Sequence, residues 1–278
     1  MVNGHPFTTF STAAPAVGAG TFGPRTAGFR ILYLMNSLIG MSVISLTLTY
    51  LMQVYTAVYR RNAAAMSLHL ASGETGDASE LIAGLGPEGQ FTGGYTNLSE
   101  IATQMSALKE SHHFYPVLFY FRFAEPHYAV SRTTLVSLDT ISLIKSGLDD
   151  ARYGWLKESA AVTQLWRACL IMTTKLAETF LPDDHPDPNE KPDASTAARW
   201  RRRYFAALRR FRQAGIATIS DEQAGVATYL ELRTAWQMHI RTLAPALAYK
   251  MDEIDPAGAD PEFPDHRREF RGRLRSAG

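Results

Sequence analysis

Few side chains in this 278-residue chain have the type and spacing to carry chemistry. Glu110-Ser111-His112-His113 sets two imidazoles beside a carboxylate, and His185 lies among Asp183, Asp184 and Asp187. Either group has ligand atoms for a metal or a proton relay. Adjacent histidines, however, leave a helix on different sides, and the H-E-x-x-H spacing that stacks two imidazoles one turn apart is absent. His185 sits in an acidic, proline-rich run that does not preorganise a coordination sphere. Asp139, inside an apolar stretch, reads either as a buried acid with a raised pKa or as a carboxylate paired with a neighbour such as Arg132 or Lys145. The single cysteine, Cys169, stands beside Trp166 and Leu170 and reads as a core thiol, which also rules out a disulfide within the chain. There is no nucleophile elbow, phosphate loop or paired carboxylate, so the expectation is no catalytic residue, no metal site and no cofactor. The chain does not read as an enzyme.

A different chemistry is written into the stretch Ile31–Tyr59, which contains no charged residue and is closed by Arg30 on one side and by Arg60 and Arg61 on the other. A hydrocarbon core of about 30 Å needs about 20 helical residues, so this run is long enough to span a bilayer with tilt. The alternatives are a buried core helix or a secretory signal. The second is disfavoured by the run's length, its position and the lack of a small-residue cleavage motif. Ser42, Ser45, Thr49, Gln53 and Thr56 recur at three- and four-residue steps and therefore share one helix face. At membrane depth such a face turns toward another helix or toward water, and the spacing alone allows either.

The elements around these residues read as helices. The span, residues 30-61, continues into the aqueous phase over Asn62 to Leu70. A glycine-rich linker, residues 62-96, follows, and it lacks the G-x-x-x-x-G-K-S/T order needed to cradle phosphate. Asn97, with Glu100 three residues on, reads as the cap of a helix whose stripe is Leu98, Ile101, Met105, Leu108 and His112. The aromatic run Phe114, Tyr115, Phe119, Tyr120, Phe121 and Phe123 is too dense for solvent and should dock on helices or on a membrane surface. Helices are expected over Pro126 to Leu148 and Trp155 to Leu181, which makes residues 97-181 a helical domain. Residues 182-194 form a Pro/Asp-rich break, residues 195-250 a helical hairpin, and residues 251-278 a charged, disordered tail. In the hairpin, Arg199, Arg201, Arg202, Arg203, Arg209, Arg210 and Arg212 alternate with aromatic residues. Arg201, Arg202 and Arg203 could bind anionic lipid, or the helix could be a solvated face paired with the acidic loop before it. A net charge of +1 argues against nucleic acid as a partner.

Two stretches carry a resemblance. Ala16-Val17-Gly18-Ala19-Gly20-Thr21, after a short helical segment over residues 6-14 and before the apolar run, resembles the selectivity-filter segment of potassium channels, whose backbone carbonyls replace the hydration shell of the ion. Val17, Gly18 and Gly20 match; Ala16, Ala19 and Thr21 stand where the family has threonine, tyrosine and aspartate. Downstream, Glu110-Ser111-His112, Tyr115-Pro116 and Tyr120-Phe121-Arg122, followed by Leu138-Asp139, resemble the cytosolic region of bacterial two-pore-domain potassium channel family members. The resemblance covers roughly residues 10 to 150. It implies that residues 1-29 are a degenerate pore helix and filter-like loop, that Gly40 is a hinge, and that Ser42, Ser45, Thr49 and Gln53 line a pore. It further implies a permeant monovalent cation, a homotetramer in the bilayer of the cell's inner membrane, and a cytoplasmic C-terminal domain. The loss of threonine and tyrosine leaves the choice of ion open. The family's pore module also has an outer helix, for which residues 1-15 leave no room, so the resemblance implies an N-terminally shortened chain or a pore that is a relic. A non-conducting, membrane-anchored scaffold is the competing expectation. The fold class expected from both is an all-α membrane protein with a pore-loop-like segment, one transmembrane helix and a cytoplasmic helical bundle.

Overall fold

The computed structural model describes residues 26-181 and 191-255. The filter-like segment Val17 to Gly20 lies outside the described residues, as do most of the Pro/Asp-rich break and the tail beyond Asp255. Within the described residues the chain is all helix, with one isolated antiparallel bridge between Leu148 and Thr218. Contacts divide it into two units, Met1–Ala57 and Val58–Gly278.

The first unit is dominated by helix α1 (Ala27–Ala71), which runs on without a break, through Gly40, into the second. No part of its most apolar window is buried, so it is not a core helix of this chain. Large apolar side chains from Phe29 to Tyr55 are exposed all round the helix, a surface that an aqueous protein does not ordinarily leave open. The helix is long and apolar enough to cross a membrane.

The second unit is built around a helix that solvent hardly reaches. After α2 (Ala78–Leu85) and α3 (Thr92–Phe114), and two short 3-10 turns at Pro116–Tyr120 and Pro126–Tyr128, helix α4 (Val130–Gly147) is buried at every position except Arg132 and Lys145. It packs against α2, against α6 (Ala160–Phe180), which also pairs with α3, and against α8 (Glu222–Ala246). Helix α5 (Asp150–Lys157) and the arginine-rich α7 (Ala194–Gln213) complete the layer, and a one-turn α9 (Met251–Ile254) ends the described chain.

Most of the hydroxyls that α4 buries are satisfied within the helix. Thr133, Thr134, Ser137, Thr140, Ser142 and Ser146 each donate a hydrogen bond to the carbonyl four residues earlier, at 2.6 to 3.2 Å. These short side chains also let neighbours come close. A Cβ added to Gly225 of α8 would lie 2.1 Å from the Tyr204 hydroxyl and 2.7 Å from the Ser146 carbonyl.

Several expectations are corrected. Residues 62-96 are not a linker: 62-71 complete α1, and α2, capped by the Asp77 carboxylate accepting from Ser79 N–H, buries Leu81, Ile82 and Leu85. The glycines around this short helix hid it. Helix α3 begins at Thr92, so Asn97 is interior rather than a cap. Gly94 there meets the backbone of Leu85, with 2.1 Å between its missing Cβ and that carbonyl, and this close packing outweighs glycine's poor helix propensity. The helix expected over 155-181 is broken at Ser159, whose hydroxyl accepts from Val162 N–H at 3.4 Å and starts α6. Residues 195-250 share one core with residues 97-181 rather than standing apart. Of the expected disordered tail, Met251–Ile254 is helical and Asp255 is buried.

The crossing at Gly225 yields a test. Gly225→Ala is expected to lower the urea midpoint of the detergent-solubilised protein, by about 1–3 kcal/mol of stability for an overpacked core. Adding Tyr204→Phe, which removes the closest clash, should restore part of that loss; no loss in the single variant would mean that α4 and α8 have room to separate.

Candidate functional site

Two clusters of polar groups in the second unit stand out. The first is a buried four-charge network. Asp139 on α4, Arg203 on α7, Arg233 on α8 and Asp255 after α9 come together with no net charge. Arg233 Nη1 donates to Asp139 Oδ1 at 2.8 Å and Nη2 to Asp255 Oδ2 at 2.8 Å, while its Nε donates to Gln237 at 3.1 Å. Arg203 donates to Asp255 Oδ1, and its Nη2 lies 2.7 Å from Asp139 Oδ2 as a charge contact without hydrogen-bond alignment. The Tyr229 hydroxyl donates to Asp139 Oδ1 at 2.7 Å. The Arg233 guanidinium lies 5.3 Å from the ring centre of Trp200, 5.9 Å from that of Tyr229 and 5.0 Å from that of Trp236. Weak hydration and a planar π-face make arginine the cation suited to such a place.

Burial alone would lower the affinity of both guanidiniums for their protons. Asp139 and Asp255 overcome this at Arg203, which is held well above its ordinary value, and Tyr229 together with the two carboxylates raises Arg233 too. Burial would raise the Asp255 carboxyl, and Arg203 and Arg233 instead pull it below its ordinary value. Asp139 is thus a paired carboxylate, but its partners are Arg203 and Arg233, not Arg132 or Lys145. Arg132 donates to the Thr75 carbonyl at 3.0 Å and to the Glu253 carbonyl at 2.9 Å. The assignment of Arg203 to anionic lipid is also corrected, because its side chain is buried between two carboxylates. Arg210 forms a two-pronged pair with Glu80 at 2.8 and 2.9 Å and Arg212 pairs with Glu222, so with Arg203 three arginines of the basic helix pair within the bundle, while most of the acidic loop before it lies outside the described residues. Arg201 and Arg202 stay exposed.

The second cluster is a collar around Arg61. This residue, 4% exposed, follows the apolar run by two positions. Nη1 donates to the Leu118 carbonyl at 3.0 Å and Nη2 to the Phe121 carbonyl at 3.1 Å, and the guanidinium lies 5.2 Å from the Phe123 ring centre. Burial lowers its pKa, and Tyr249 partly offsets this. The collar is closed by Tyr249, whose hydroxyl donates to the Phe123 carbonyl at 2.9 Å and accepts from Phe123 N–H at 3.1 Å, with Arg122 stacked over its ring at 5.0 Å. The segment from Glu110 to Phe123 therefore meets the arginine that follows the apolar run. Pro116 starts the 3-10 turn, and Tyr115 caps α3 by donating its N–H to the Ser111 carbonyl. Glu110 is exposed and pairs with Lys109, and Ser111 bonds back to Ala107. His112 is buried with both ring nitrogens unpartnered. Sequence reading recognised both Arg61 and the aromatic block but not their pairing. A signal existed: an arginine at the end of an apolar run is the cation that needs carbonyl partners if it is to be buried.

In the first unit, the stripe residues Ser42 and Thr49 donate to the carbonyls of Leu38 and Ser45, each at 2.8 Å, as Thr56 does to Met52 at 2.9 Å. Ser45 and Gln53 lie with them on the exposed surface, and Gly40 is intrahelical. Among the described residues no three His, Cys, Asp or Glu side chains converge as a metal site. Cys169 is buried, and burial raises its thiol pKa, which makes it inert.

These features define a helical protein with one membrane-length helix continuing into a polar-locked bundle. No protein-family model matches the chain, and neither the curated proteins nor the solved structures hold a match to it.

Two tests follow. Asp139→Asn is expected to cost about 3–5 kcal/mol in denaturant unfolding, because it leaves buried guanidinium charge uncompensated; a loss below 1 kcal/mol would show that Asp255 alone suffices. His112, whose pKa burial and then Arg61 lower from 6.5 to about 4, is neutral when folded. Its contribution to stability is complete above pH 6.5 and is lost as pH falls toward 4, with roughly 3 kcal/mol at stake. His112→Leu should flatten the stability profile in that window while leaving the further loss at lower pH, where Asp255 protonates, in place.

Proposed function

We propose that this chain is a subunit of an oligomeric membrane protein that passes monovalent cations, with the helical bundle as its cytoplasmic regulatory domain. The observation that carries the reading is the exposed polar stripe Ser42, Ser45 and Thr49, in an uncharged helical run whose polar residues Asn36, Ser37 and Thr47 lie off this face. In hydrocarbon such a face favours another helix or water, and a single helix encloses no path, so in this reading further copies of the chain supply the remaining wall. Four copies, as the resemblance to potassium channels implies, would set the Val17, Gly18, Ala19 and Gly20 carbonyls around one axis and turn the stripe toward it, with Gly40 free to bend. The uninterrupted passage of α1 into the Arg61 collar supports a regulatory role for the bundle, since rotation of residues 58-71 strains the collar directly. In this reading the protein resides in the cell's inner membrane.

A second reading, a non-conducting membrane-anchored scaffold, is favoured by the back-bonding of Ser42, Thr49 and Thr56, which satisfies their donors without water or a partner helix.

Full-length protein extracted in mild detergent should migrate as a tetramer in native mass spectrometry. Reconstituted in liposomes, it should carry a cation flux that Gly18→Ala or Gly20→Ala abolishes. A monomer, or a tetramer silent under every cation gradient, would defeat the channel reading and leave the scaffold.

A further inference from the structure

We propose that Phe114, Val117, Tyr120 and Phe121 form an interfacial anchor that inserts into the headgroup and upper acyl layer of the bilayer crossed by α1. The proposal rests on reading α1 as a membrane span. These four side chains are exposed, Phe114 by 69%, Val117 by 37%, Tyr120 by 73% and Phe121 by 42%, and they fall within eight residues of one another. Scattered apolar residues on a surface need no explanation; three aromatics and a valine in one short segment do.

The segment is held in place. Phe119 points inward and stacks on Phe180 with 4.0 Å between ring centres and 6° between planes, and the carbonyls of Leu118 and Phe121 are gripped by Arg61. With Leu118 and Phe119 committed to the core, Val117 and Tyr120 on either side of them along the 3-10 turn face out. A surface aromatic fixed in this way has already lost the backbone freedom that membrane insertion would otherwise remove.

Its occupant follows from the covalent structure. Tyr59 is the last residue of the uncharged run, and Arg61 comes two positions later, about 3 Å of helical rise. The carbonyls that accept from Arg61 are therefore within one arginine side chain of the level at which the chain leaves hydrocarbon. The interfacial layer is about 5–8 Å thick on each side of a bilayer core. Aromatic rings, and tyrosine above all with its apolar body and polar tip, are the side chains that favour this layer. Exposed Arg60 and Arg122 lie in sequence beside the collar and supply cations for lipid phosphate.

The test places a nitroxide label at Phe114→Cys and, separately, at Tyr120→Cys in a Cys169→Ser background. The full-length protein is reconstituted in phosphatidylcholine–phosphatidylglycerol vesicles, and the label's accessibility to oxygen is compared with that to a water-soluble nickel chelate. Leu46→Cys in the span and Thr228→Cys on the exposed face of α8 serve as references, and circular dichroism confirms the folded bundle. Labels at 114 and 120 are expected to shift toward the oxygen-favoured pattern of Leu46 and away from that of Thr228. If Leu46 favours oxygen while 114 and 120 resemble Thr228, the anchor is overturned and the span stands. Protection of 114 and 120 from both reagents would also overturn it, in favour of cover by protein. If Leu46 itself favours the nickel chelate, the span reading falls and the anchor with it.

Discussion

The bundle depends on a guanidinium taken out of water and fully answered. Arg233 has no exposure, yet each face of its planar group is occupied: carboxylates of Asp139 and Asp255 and the Gln237 amide at the edge, indole and phenol rings above and beside it. Isolated, such a charge would oppose folding by several kcal/mol. Held between two carboxylates that also share Arg203, it fixes four elements at once, because Asp139, Arg203, Arg233 and Asp255 come from α4, α7, α8 and the segment after α9. No one of the four can leave without stranding the others. A buried charge network is a weak source of net stability, and here it ties the hydroxyl-lined α4 to α7 and α8.

The same rule, that a buried charge must find partners, shapes the Arg61 collar by different means. Arg61 is buried against neutral dipoles, the carbonyls of Leu118 and Phe121 and the ring of Phe123, with no ion pair among the described residues. Neutral partners hold a cation less firmly than carboxylates do, and His112 nearby has no partner for either nitrogen. The bundle thus pairs a charge-compensated lock at the chain's C-terminal side with a softer clamp on the helix that continues from the apolar run.

Helix α4 links the two. Its serines and threonines return their hydroxyl hydrogens to their own backbone, as the hydroxyls of α1 also do. In α1 this lowers the polarity of an exposed apolar surface; in α4 it lowers the polarity presented to a protein core. One local device serves both.

What the sequence determined by itself was local. An uncharged run from Ile31 to Tyr59 reads as a long apolar helix, Cys169 amid large apolar residues reads as a core thiol, and three- and four-residue spacing announced the stripe of α3. Local pattern also misled: glycines around Ala78–Leu85 concealed a buried helix, Asn97 mimicked a cap, and the charged residues at Asp252 and Asp255 suggested a tail where one turn of helix docks. Only the tertiary structure decided which opposite charges meet. Asp139 had Arg132 and Lys145 within two turns of its own helix, yet Arg132 was drawn to the carbonyls of Thr75 and Glu253, and Asp139 found partners 64 and 94 residues away. Pairing of buried charges is set by which helices share the core, and that is a property of the whole packing which no spacing along one helix encodes.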